Sequence, residues 1–243
     1  MTSKTVLITG AAHRIGAAIA RELHACGMNI VIHHNQSSEV AASLSDELNR
    51  TRSNSAFVVQ SDLLEADSYT ETITQAHSFN NRLDVLINNA STFFPTIMGE
   101  ISLQDWQSII GVNLQAPLFL SQQAAPYLAE HSGCIINLTD IHALRPLKDH
   151  SLYSTAKAGL IMLTQSLAKE LGPSIRVNGV SPGAILWPEN MPVEKKQETL
   201  SKVILERKGN LDDITNAIRF LINEADYMTG QILNIDGGRS LHS

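Results

Sequence analysis

The sequence predicts an α/β protein, a three-layer α/β/α sandwich on a doubly wound parallel sheet of seven strands. Three observations lead there. Seven short β-rich apolar runs recur along the 243 residues, and helical patterns fall between them. The runs are apolar at successive positions instead of alternating, as strands buried on both faces are.

In order, the first strand is TVLIT at 5–9, followed by Ile15, Ala18, Ile19, Glu22, Leu23 and Cys26 at helical spacing, apolar at all but one position, with Gly27 as the stop. NIVIH (29–33), AFVVQ (56–60) and LDVLIN (83–88) supply the next three strands. A helical stretch at 103–130 leads to GCIINLT (133–139), and a second at 151–172 leads to SIRVNGV (174–180). QILNI at 231–235 is the seventh strand. Between the last two, residues 184–201 carry Pro188 and Pro192 in a mixed composition and break the alternation, so a substrate loop or lid is expected there. No repeat or linker divides the chain, and residues 1–243 are expected to form one domain.

With 43% apolar and 17% charged residues, the composition excludes a disordered or fibrous protein. A net charge of -6 argues against nucleic acid or an anionic membrane as partner. Cys26 and Cys134 lie far apart in apolar segments and are expected as two buried, reduced thiols. Neither a signal-peptide pattern nor an uncharged apolar stretch of about 18 residues occurs, so a cytoplasmic protein is expected.

The first strand runs through Thr9-Gly10-Ala11-Ala12-His13-Arg14-Ile15-Gly16 into a helix, the strand–turn–helix setting that a dinucleotide pyrophosphate needs. Gly10 would let the turn form and Gly16 would let the backbone approach. An NAD site places a carboxylate at the end of the second strand, but here the chain reads Ile32-His33-His34-Asn35-Gln36-Ser37, with none before Glu39. A 2′-phosphate would not be repelled, and Arg14, His33 and Ser37 are available to bind it, so NADP(H) is the expected cofactor. His33 and His34 are strand neighbours pointing to opposite faces, and no metal site is expected.

Tyr153 and Lys157 stand at i and i+4 of the 151–172 helix, on one face. A phenol of pKa about 10 is a poor proton donor at neutral pH, and a neighbouring ammonium would lower it. Gly179-Val180-Ser181-Pro182-Gly183 has the glycine and serine spacing of a hydrolase elbow, but Pro182 has no N–H for an oxyanion hole.

Together these motifs resemble the short-chain dehydrogenase/reductases, a Rossmann-fold family. They comprise the glycine-rich turn at 9–16, Asp62-Leu63, Asn88-Asn89-Ala90, Asn113, Tyr153-x-x-x-Lys157, Ser181-Pro182-Gly183, Thr229-Gly230 and Asp236-Gly237-Gly238, in order along the chain. The resemblance implies a proton relay of Asn113, Tyr153 and Lys157, Asp62 and Leu63 near the adenine, and Ser181 to Gly183 near the nicotinamide.

Two departures are informative. Arg14 replaces the family's usual glycine, and Asp140, thirteen positions before Tyr153, replaces its catalytic serine. With Asn89-Ala90-Ser91-Thr92-Phe93-Phe94-Pro95, they resemble the pteridine reductases. That resemblance implies a cofactor site of Gly10, Arg14, Ile15, Gly16, His33, Ser37, Asp62, Leu63, Asn89, Ala90, Ser91, Tyr153, Lys157, Pro182 and Gly183. It implies a substrate site of Arg14, Ser91, Phe93, Asp140 and Tyr153, with Phe93 sandwiching a pterin against the nicotinamide. Asp140 joins Asn113, Tyr153 and Lys157 as catalytic. At Gln36 the family often has an arginine for the 2′-phosphate, which here leaves that contact to Arg14, His33 and Ser37.

The chemistry agrees with the resemblance. An anionic Asp140 would repel the alkoxide that develops in carbonyl reduction, whereas a pterin presents amino and ring-nitrogen groups to a carboxylate and a flat face to Phe93. The expected activity is NADPH-dependent reduction of biopterin, dihydrobiopterin, dihydromonapterin or dihydrofolate, the alternative being a generic carbonyl or 3-oxoacyl reductase. The apolar excess of the 103–130 and 151–172 helices, paired in relatives, leads us to expect a homotetramer.

Overall fold

The computed structural model describes residues 3–187 and 191–241. Seven strands form one sheet in the order β3-β2-β1-β4-β5-β6-β7, every neighbouring pair parallel. The strands are β1 (Thr5–Ile8), β2 (Asn29–His34), β3 (Ala56–Gln60), β4 (Val85–Asn88), β5 (Cys134–Leu138), β6 (Arg176–Pro182) and β7 (Ile232–Ile235). Between them run α1 (Arg14–Ala25), α2 (Ser38–Thr51), α3 (Ser68–Ser78), α4 (Leu103–Ile110), α5 (Ala116–Ala129), α6 (Ser151–Leu171), α7 (Val193–Leu200) and α8 (Leu211–Asn223).

The apolar runs bury both strand faces because each face has its own helix layer. Val6, Ile8, Ile30, Ile32, Ile87 and Ile136 point toward Ile19 and Leu23 of α1, Leu44 and Leu48 of α2, and Ile214, Ile218 and Leu221 of α8. The intervening Leu7, Val31, Leu86, Ile135 and Val177 meet Ile73 of α3, Leu120 and Leu128 of α5, and Leu167 of α6. Strand order reverses between β1, which pairs with both β2 and β4, and β4, which leads on to β5. A crevice opens beyond the carboxyl ends of these strands, the place where open α/β sheets bind ligands.

Three expectations need correction. The 103–130 stretch is not one helix: Gly111–Gln115 forms a π turn between α4 and α5. Cys26 is exposed, because it falls at the C-cap of α1 and beyond the buried stripe, while Cys134 is buried in β5. The 184–201 loop contains α7, whose residues bury no side chain and so leave no apolar period to read; Pro188, Glu189 and Asn190 lie outside the described residues. In agreement with the rejection of a hydrolase elbow, β6 runs through Ser181 to Pro182 with no helix opening after it, and Ser181 is only 1% exposed.

Candidate active site

A cleft of about 540 Å³ runs along the switch point, from the β1 turn at one end to the start of α6 at the other. Of the residues expected to bind or lie near cofactor or substrate, all but Ser37 and Ser181 line it; Asn113 stands behind its wall.

At one end the chain turns sharply after β1, with Gly10 at φ +60. Asn89, directly after β4, holds this turn by donating from Nδ2 to Thr9 O at 2.8 Å and Gly10 O at 3.0 Å. Thr9 Oγ1 in return accepts the N–H groups of Asn89 and Ala90 at 3.0 and 2.9 Å. A Cβ on Gly16 would stand 2.5 Å from Gly10 O and 2.7 Å from Asn89 Nδ2, so only glycine lets α1 close on the turn. No side chain caps α1. Its first N–H groups and the positive end of its dipole therefore face the cleft, the arrangement that suits a bound anion. Arg14 opens α1 at φ +52, a left-handed conformation that strains a non-glycine residue by about 1 kcal/mol or more and that clusters at functional sites. The donor set and its close backbone fit a dinucleotide pyrophosphate.

The expectation for His33 requires correction. Its ring is buried at 2% exposure and both nitrogens are engaged within the protein. Nδ1 accepts the Gly10 N–H at 3.2 Å, and Nε2 lies 3.0 Å from Ser61 Oγ. Burial pushes the imidazole down to about 4, so it carries no positive charge at neutral pH and offers no free donor to a phosphate. Ser37 lies outside the lining but hydrogen-bonds His13 Nε2 at 3.0 Å, and His13 does line the cleft. His13 and Asn35 are wall residues that the sequence reading passed over, although His13 sits beside Arg14 at the helix start.

At the other end Asp140 follows β5 and caps a short 3-10 turn, accepting the His142 N–H at Oδ1 (2.8 Å). Its other oxygen accepts the Tyr153 hydroxyl at 2.9 Å. Asp140 thus both caps a turn and faces Tyr153. Burial first, then the Asp140 charge and hydrogen bond, push the Tyr153 phenol well above its ordinary value. Lys157, fully buried, donates to Leu138 O at 2.8 Å with its Nζ 5.7 Å from the Tyr153 ring centre. Burial pushes this lysine down to about 8. The expected lowering of the Tyr153 pKa by Lys157 is therefore reversed in this state: the phenol stays neutral, and the ammonium is the group held near titration.

Asn113 is the centre of the π turn. Its Oδ1 accepts from Ser91 Oγ at 2.7 Å, while Nδ2 donates to Thr92 O and Ile109 O at 2.8 and 2.9 Å. It fixes the Ser91–Phe93 strip from behind. Phe93 is 53% exposed, stacked on His150 at 4.6 Å and set edge-on to Tyr153 at 4.7 Å. Phe94 turns inward and packs on the small cluster of Ile109, Leu152, Tyr153 and Ala156. His150, the N-cap residue just before α6, is a contact of this end that the sequence does not reveal.

Comparison with known proteins identifies the family. Residues 10–240 match the family model described as enoyl-(acyl carrier protein) reductase. The chain belongs to the short-chain dehydrogenase/reductase family. It is 35% identical to pteridine reductase 1 of Leishmania tarentolae over an alignment of 281 positions covering 99% of this chain and 97% of the relative. It is 36% identical to a 3-oxoacyl-[acyl-carrier-protein] reductase of Synechocystis over 245 positions, covering 98% and 97%. A 3-oxoacyl-[acyl-carrier-protein] reductase of Staphylococcus aureus is 33% identical over 241 positions, covering 97% and 98%. The protein is an oxidoreductase of the short-chain dehydrogenase/reductase family, whose reductases use NAD(P)H. Among the described residues, no helix is long and apolar enough to cross a membrane.

Proposed function

We propose that this oxidoreductase is a cytoplasmic, NADPH-dependent pteridine reductase, folded as one domain over residues 1–243 with its substrate loop near 184–201. The carrying observation is a carboxylate, Asp140, paired at 2.9 Å with the Tyr153 hydroxyl where carbonyl reduction needs a neutral donor. When bound, the nicotinamide supplies hydride. The chain's own residues do the rest. Arg14 and the open end of α1 hold phosphate, and the absence of a carboxylate on Asn35, Gln36 and Ser37 favours the 2′-phosphate of NADPH. Phe93 gives a flat heterocycle a face to stack on. Asp140 receives an amino or ring N–H, and Tyr153, with Lys157 behind it, delivers a proton to ring nitrogen. Asn113 holds Ser91 and the strip that carries Phe93.

A generic 3-oxoacyl reductase is the second reading, favoured by the 33 to 36% identity to such enzymes. Asp140 speaks against it, because its charge would face the developing alkoxide. A panel of biopterin, dihydrobiopterin, dihydromonapterin, dihydrofolate and a 3-oxoacyl thioester, each with NADPH and with NADH, decides. Turnover of a pterin or folate with NADPH supports the proposal; turnover of the thioester alone removes it. Leu118 and Phe119 of α5 and Met162 of α6 leave apolar surface exposed, which supports a homotetramer; a monomer by light scattering would remove that part.

A further inference from the structure

We infer that His33 is a positioning residue of the cofactor site, holding the glycine-rich turn to the β3 end by one buried neutral imidazole. The inference rests on the family's use of a nicotinamide dinucleotide.

Two consecutive N–H groups of the turn point into the protein, and both end on His33. The Gly10 N–H donates to the ring at Nδ1, and the Ala11 N–H donates to the His33 carbonyl at 2.9 Å. On the far side of the ring, Nε2 lies 3.0 Å from Ser61 Oγ and 3.2 Å from Ser61 O. Ser61 Oγ is in turn 2.7 Å from Thr72 Oγ1 of α3. The chain Gly10, His33, Ser61, Thr72 thus crosses from the pyrophosphate turn to the segment that carries Asp62 and Leu63 in the cleft wall.

Hydrogen-bond chemistry fixes the state of the ring. A backbone N–H always donates, so Nδ1 must be the bare, accepting nitrogen. The proton then sits on Nε2 and is donated to Ser61. An imidazolium would set one donor against another at Gly10, and burial disfavours that form. An aliphatic side chain of similar size would fill the space and leave Gly10 N–H and Ser61 without these partners. Among the described residues, the other side-chain tie on this flank is the more exposed His13 Nε2–Ser37 Oγ contact at 3.0 Å, and Asn89 grips the carbonyl side of the turn. The positive φ of Gly10 is therefore held from both sides, by Asn89 on the oxygens and His33 on the nitrogens.

Two substitutions separate the ring's polarity from its bulk. His33→Leu removes the acceptor, and His33→Asn keeps an acceptor near the Nδ1 position while giving up the reach to Ser61. Fluorescence titration with NADPH and NADH, steady-state kinetics and thermal melting are measured on all three proteins, with nitrogen NMR of the wild-type ring. We expect His33→Leu to raise the dinucleotide Kd and KM about tenfold, the factor that one lost net hydrogen bond of about 1.4 kcal/mol represents. Its kcat at saturating dinucleotide and its substrate KM should stay within about twofold, since the reacting groups lie at the other end of the cleft. His33→Asn should recover most of the affinity, and the wild-type ring should show the tautomer protonated on Nε2. A folded His33→Leu protein that binds dinucleotide as tightly as wild type overturns the inference, as does an Nδ1-protonated ring or a failure of Asn to improve on Leu. Should His33→Leu not fold, the ring tautomer and the Asn variant still decide, an affinity loss confined to dinucleotide being the supporting result. A wild-type protein that binds neither dinucleotide overturns the cofactor reading itself, and that is seen before any variant is made.

Discussion

The two ends of the cleft handle charge in opposite ways. At the phosphate end Arg14 is the one cation among the residues that hold the turn, and the rest of the work falls to backbone N–H groups, Asn89, Gly16 and a neutral His33. At the chemical end Tyr153 and Lys157 are both ionisable, and burial favours the neutral form of each beside the Asp140 carboxylate. On the proposed function, a chain of net charge -6 would hold an anionic cofactor by geometry more than by gathered cations and would keep its ionisable groups for proton transfer at the other end of the cleft.

Four substitutions test that contrast. Tyr153→Phe should have the largest effect, lowering kcat by about 10² to 10⁴ as loss of a positioned proton donor does, while NADPH affinity measured by titration stays nearly unchanged. A near-normal rate would show that the proton travels by another route. Lys157 comes next, through stability. Its folded pKa of about 8 lies below the ordinary 10.5, so between these values the unfolded chain binds the extra proton and stability rises with pH. The rise should be on the order of 3 kcal/mol, and Lys157→Met should abolish that slope in denaturant titrations run from pH 7.5 to about 10.5. An unchanged slope would place the titrating group elsewhere.

Asp140→Ser should cost pterin turnover at least about tenfold and make the Tyr153 phenol more acidic, because the Asp140 charge and hydrogen bond both hold it up. Wild-type pterin rates in that variant would end the role assigned to Asp140. The smallest effect is expected at Arg14. Arg14→Gly relieves a left-handed residue and should raise stability by roughly 1 kcal/mol, while weakening NADPH binding about fivefold. If affinity is unchanged, the phosphate end needs no cation at all.

Much of this was legible in the chain. Buried parallel strands announce themselves as unbroken apolar runs, and each of the seven appears within two residues of where the runs place it. The i, i+4 spacing put Tyr153 and Lys157 on one face, and Asp140 thirteen residues earlier could be paired with Tyr153 only through the family resemblance. What stayed hidden has physical causes. The α7 helix has no buried face, so periodicity carries no trace of it. The low pKa values of His33 and Lys157 come first from burial, and their hydrogen-bond partners Gly10, Ser61 and Leu138 are distant in sequence. His150 owes its contact with Phe93 to a single parallel bridge between Thr96 and His150, which joins two loops that no pattern links.

The π turn at Gly111–Gln115 has a consequence for the outside of the molecule. An α-helix advances about 100° per residue, so one residue of extra winding turns everything after it by that angle. Asn113 can therefore grip the back of the Ser91–Phe93 strip while α5 still sets Leu120, Ala124 and Leu128 against the sheet and Leu118 and Phe119 outward. Deleting a single residue here would do more than remove a side chain. The α5 helix would have to rotate its apolar stripe off the sheet or pull Asn113 away from Ser91, so the segment behaves as a phase shifter between the reacting groups and the outer surface.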